Sequence, residues 1–87
     1  MKNIKMFMFD SCPHCQLALR YLRELQSQDK YKDLEVEMIN ERKQPEIADQ
    51  YDYYYVPTFY VDEEKIHEGS VKIEDIRRVL DFALNSQ

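Results

Sequence analysis

The sequence predicts an α/β domain with its elements in the order βαβαββα. Three observations carry this. An apolar run at residues 4–9 leads directly into a helical repeat of apolar residues, a strand pattern at 56–61 returns through a tight turn to 66–68, and a second helical repeat closes the chain. With 87 residues, 44% of them hydrophobic and 33% charged, the chain fits one small globular domain, residues 1–87. That is near the lower size at which a core suffices without staples.

The first strand runs from Ile4 to Phe9. It is apolar throughout except for Lys5, which suits a strand covered on both faces. From Pro13, the residues Ala18, Tyr21, Leu22 and Leu25 recur at i, i+3, i+4 and i+7, while Arg20, Arg23, Glu24 and Gln26 fall on other faces. This is an amphipathic helix with Ser11 or Cys12 at its N-terminal boundary. Pro13 is tolerated there because first-turn N–H groups lack intrahelical partners.

Leu34–Asn40 alternates Leu34, Val36 and Met38 with Glu35 and Glu37, a strand with one wetter face. A charged loop follows, and Pro45–Gln50 reads as a short second helix with Ile47 and Ala48 as its apolar residues. Val56–Val61 is the third strand, Asp62–Lys65 a tight turn, and Ile66–Glu68 the fourth strand. Gly69, the only glycine, frees the chain to turn. Ser70 is placed to cap the last helix, in which Ile76, Val79, Leu80 and Ala83 repeat the apolar spacing.

A net charge of −5 offers no basic face to a phosphate backbone, which argues against nucleic acid and anionic membranes as partners. No stretch approaches a membrane span of about 20 apolar residues, and the N-terminal apolar run is too short for a secretion signal. A cytoplasmic monomer is the expectation. In that compartment thiols are kept reduced, so two cysteines serve chemistry or metal binding more readily than a permanent bridge.

Cys12 and Cys15 stand in a C-x-x-C arrangement at the start of a helix. The helix N-terminus carries about half a positive charge and unpaired N–H groups, both of which favour a thiolate on the first cysteine. The second cysteine, one turn on, is placed to displace a mixed disulfide formed on the first. Pro13 restrains the turn between them, and His14 can favour the Cys12 thiolate electrostatically. A closed zinc site needs four ligands, and the chain offers only Cys12, Cys15, His14 and the distant His67. A metal or iron–sulfur cluster shared between two chains, or two incidental buried cysteines, are the competing readings. No resident cofactor is expected. His67 reads as structural. Tyr51, Tyr53, Tyr54 and Tyr55 read as packing residues, with Tyr54 or Tyr55 as the alternative lining of a substrate groove.

Cys12-Pro13-His14-Cys15 after a first strand, with Val56-Pro57 before a hairpin, resembles the glutaredoxin branch of the thioredoxin-fold family over essentially the whole chain. The resemblance implies a four-stranded mixed sheet flanked by three helices and a thiol–disulfide oxidoreductase. It implies Cys12 as nucleophile and Cys15 as resolving thiol. A cis Pro57 would face the cysteines, and the Val56 backbone would pair with an extended substrate or with glutathione. Tyr55, Gly69 and Ser70 complete the implied substrate site. Two positions depart from the family pattern. Phe9 stands where many members carry a lysine for a glutathione carboxylate, and Glu68-Gly69-Ser70-Val71 stands where many have Gly-Gly followed by Asp. These departures favour a protein disulfide, or a dedicated reductase, over glutathione as partner. The alternative function is a binding module of the same fold that holds a metal or cluster, or docks a partner, without turnover.

Overall fold

The structure, a computed structural model, describes residues 3–85. Its elements follow the predicted order: β1 (Ile4–Met8), α1 (Pro13–Gln26), β2 (Val36–Asn40), α2 (Pro45–Ala48), β3 (Thr58–Val61), β4 (Glu64–Glu68) and α3 (Ile73–Asn85). The four strands form one mixed sheet in the order β2-β1-β3-β4. β1 runs parallel to β2 and antiparallel to β3, which pairs antiparallel with β4.

β1 is interior, and its near-continuous apolar run follows from that place. Ile4 and Met6 face α1 and α3, packing with Phe59, Val61, Ala18, Leu22, Ile76 and Leu80. Phe7 points to the other face and packs with Ile39, Ala48 and Tyr60. Around Phe7 the rings of Tyr51, Tyr53 and Tyr60 lie with centroids 4.8, 5.0 and 5.8 Å away. Tyr51 and Tyr53 are thus packing residues, as their apolar bodies favour.

Several boundaries differ from the sequence expectation for local reasons. β2 begins at Val36, not Leu34. The Leu34 N–H donates to Tyr31 O and the Leu34 carbonyl accepts Gln26 Nε2, so its backbone closes a turn against α1. Because β2 is an edge strand, the apolar alternation through Met38 does not mark a covered face. Met38 is exposed, and Ile39 is the buried residue. α2 ends at Ala48 because the next amides, of Gln50 and Tyr51, bond three residues back, to Ile47 O and Ala48 O. β3 starts at Thr58, after a cis Val56–Pro57 bond. The hairpin turn is only Asp62-Glu63, with Asp62 at φ 53, so β4 starts earlier than predicted. Ser70 does not cap α3. The helix starts at Ile73, and the Lys72 N–H donates to the Asp75 carboxylate, which takes the capping role from inside the first turn.

Candidate functional site

The site is built where β1 hands over to α1. Cys12 is the N-cap of α1, with extended backbone (φ −81, ψ 114), and Pro13 opens the helix. The N-cap side chain normally offers an oxygen to an orphan N–H; here the Cys12 sulfur accepts from the Cys15 N–H at 3.3 Å. No acidic side chain falls in the first turn, so the positive end of the helix is left to the sulfur.

Both cysteines are free. Cys12 is 5% exposed and Cys15 is fully buried. Burial pushes the Cys15 thiol up to about 12, helped by a hydrogen bond with Cys12 and by the charges of Cys12 and Glu41, against a lowering contact with the Phe9 backbone. The two sulfurs therefore differ in kind. Cys12 sits at the rim of the helix with an N–H aimed at it, and Cys15 is a thiol sealed beneath.

His14, which stands between the two cysteines, lines one groove of about 390 Å³ with Tyr55, Val56, Glu68, Gly69 and Ser70; neither cysteine is among its lining residues. Every predicted substrate-binding residue except Pro57 lies on it; Pro57 is buried behind, and its carbonyl accepts the Gly69 N–H at 2.9 Å. Gly69 has φ 96, a conformation that side chains resist, so glycine is required at this turn. His14 is exposed on the first turn of α1. His67 is tied down structurally, between Ser70 O at 2.9 Å on Nε2 and Arg78 at 3.2 Å on Nδ1.

Sequence reasoning missed Glu68 and Arg42. The Glu68 carboxylate accepts the N–H groups of both Tyr54 and Tyr55, and Lys65 Nζ donates to it at 2.7 Å. Those three donors, the lysine first, lower the Glu68 carboxyl to about 2. The hairpin register, which sets Glu68 opposite Thr58, was the one signal that could have pointed to this contact. Arg42 stacks over the Phe9 ring at 3.9 Å, bringing a cation to the position three before Cys12 from a separate part of the chain. Nothing local in the sequence marks that contact.

Among the described residues, no three of His, Cys, Asp and Glu converge to hold a metal ion, and no helix is long and apolar enough to cross a membrane.

Comparison with known proteins identifies the family and the fold. The thioredoxin domain family matches residues 2–81. Among solved structures, an uncharacterized thioredoxin-like protein from Clostridium perfringens has TM-score 0.67 and 26% identity, over 93% of this chain and 69% of that one. A designed protein has TM-score 0.68 and 20% identity, over 99% of this chain and 75% of its own, a likeness of fold. No curated protein matches the sequence.

Proposed function

The chain belongs to the thioredoxin domain family, and from that premise we propose that it is a cytoplasmic thiol–disulfide oxidoreductase of glutaredoxin-like type, acting as a single domain. The observation that carries this reading is the asymmetry of the two sulfurs. One caps a helix and receives an N–H, and the other is buried one turn away and kept protonated.

The chemistry follows from that asymmetry. The Cys12 thiolate attacks one sulfur of a substrate disulfide. A Cys12–substrate mixed disulfide forms and the other substrate sulfur leaves as a thiolate, which takes up a proton. Cys15 then loses its proton and attacks the Cys12 sulfur. The Cys12–Cys15 disulfide closes and the second substrate thiol is released. Two electrons pass from the dithiol to the substrate, and an external thiol, either glutathione or a dedicated reductase, must return them. The high Cys15 value matters in the first step, because a protonated Cys15 does not compete with Cys12 for the substrate.

Val56 lines the groove, and the hydrogen bonds of its segment go to Tyr54, Tyr55 and Pro57 and pass over it. This supports Val56 as the edge on which an extended substrate pairs. The deciding experiment is a trap with Cys15→Ser. The first step then proceeds and the second cannot, so a mixed disulfide on Cys12 should accumulate and be released by dithiothreitol. Absence of any adduct on Cys12, from either protein disulfides or oxidised glutathione, would reject the reading.

A further inference from the structure

We propose that Tyr54 and Tyr55 form an aromatic shelf along the groove that Tyr55 shares with His14 and Val56, and that this shelf selects an extended polypeptide with a cationic side chain next to its disulfide. This rests on the thiol–disulfide exchange proposed above and names its substrate class.

Exposure is not general in the tyrosine-rich segment. Tyr51 and Tyr53 pack on Phe7, and the Tyr60 hydroxyl donates to Asp52 O at 2.7 Å. Tyr54 and Tyr55, by contrast, are 86% and 70% exposed, two large apolar side chains in succession directly before Val56. Isolated exposed apolar residues need no explanation, but an adjacent exposed aromatic pair, of which Tyr55 lines the groove and Tyr54 precedes it, points to a contact surface.

The pair is also fixed in place. Glu68 accepts both amides, Lys65 bridges Glu68 at 2.7 Å and Asp52 O at 3.2 Å, and the Tyr55 carbonyl accepts the Thr58 hydroxyl. With these backbone groups engaged inside the molecule, the rings are what the segment offers a partner. Holding their backbone beforehand lowers the ordering cost of binding.

The charge of the surroundings selects the partner. The faces of aromatic rings are negative and attract Arg or Lys. The nearby Lys65 is already paired with Glu68, the Asp52 side chain is exposed, and the chain carries a net charge of −5. A partner cation is favoured here, and a partner carboxylate is not. One exposed ring over a cation corresponds to about a two- to fivefold gain in affinity.

The test is a single-turnover reaction of the pre-reduced protein with two extended peptides at physiological salt. Each carries one cysteine in mixed disulfide with a small thiol, and they differ only in having Arg or Glu beside that cysteine. The dithiol supplies the two electrons, so no further reductant is needed. The rate ratio, Arg peptide over Glu peptide, is expected to be about fivefold or more. It should persist in the double variant Tyr54→Phe, Tyr55→Phe, which keeps the rings, and fall at least twofold in Tyr54→Ala, Tyr55→Ala. Because each ratio is internal to one protein, a partly destabilised variant still reports it. Equal rates for both peptides in the unmodified protein, or a full ratio surviving in the alanine variant, would overturn the shelf while leaving the exchange reaction standing. Reduction of neither peptide would overturn both.

Discussion

The Cys15 amide donates to the Cys12 sulfur across 3.3 Å, so the first cysteine caps the helix whose first turn buries the second. A residue that holds a helix end with its sulfur holds it better as an anion, because a thiolate is the stronger acceptor and the helix end is positive. Fold and reactivity are coupled at this one contact.

Labelling should separate the two thiols. Cys12 lies at the rim, while Cys15 is fully buried and its thiol is raised to about 12. Limiting iodoacetamide near neutral pH is expected to modify Cys12 alone, with Cys15 reacting only after denaturation. Peptide mapping by mass spectrometry checks this, and preferential modification of Cys15 would reverse the assigned roles.

The same burial predicts an alkaline weakness of the reduced protein. A thiol whose folded value lies above its unfolded value of about 8.5 contributes stability that is complete below about 8.5 and is lost as pH rises toward about 12. In that window the unfolded chain has released the Cys15 proton and the native chain has kept it. The slope approaches about 1.4 kcal/mol per pH unit. Urea denaturation of the reduced protein and of Cys15→Ser, between pH 8 and 11, should show the extra decline only where Cys15 is present.

What the sequence made legible and what it hid divide along contact range. β1, α1 and α3 were readable because their apolar spacing is local, and Cys12 was readable because capping and Pro13 act within one turn. The contacts that shape the groove join distant segments. Glu68 reaches Tyr54 and Tyr55, Arg42 covers Phe9, and Tyr31, buried in the loop after α1, donates to Asp81 of α3 at 2.6 Å. Residue types do not disclose such pairings before topology brings them together. Met38 misled for a related reason: alternation marks a strand, but only the sheet order reveals that this strand is an edge.

Glu68 should make the Tyr54–Tyr55 segment acid-sensitive. Its carboxyl is lowered to about 2, first by Lys65 and then by the two amides. A depressed acid contributes stability that is present above its unfolded value of about 4.3 and is lost as pH falls through the folded value. The amide resonances of Tyr54 and Tyr55 should therefore hold steady down to about pH 4 and move together toward pH 2. In Glu68→Gln that coordinated movement should vanish. Independent movement of the two amides would contradict a shared acceptor.

His14 is expected to tune the pair rather than to react. It stands on the first turn of α1 and lines the groove with Val56. A cationic imidazole there favours the Cys12 thiolate, and what stabilises the thiolate stabilises the reduced protein against the disulfide, making the pair more oxidising. Removing it should therefore shift the potential to a more negative value. The side chain is exposed, so water and salt screen its charge, which limits the effect to roughly 30 mV, the equivalent of about 1.4 kcal/mol. Redox titration of the wild-type protein and His14→Ala in one glutathione buffer, at low and at physiological salt, measures it. The difference should be larger at low salt, where the charge is less screened. Equal potentials at both salt concentrations would leave the helix N-terminus and the Cys15 amide as the sources of Cys12 activation.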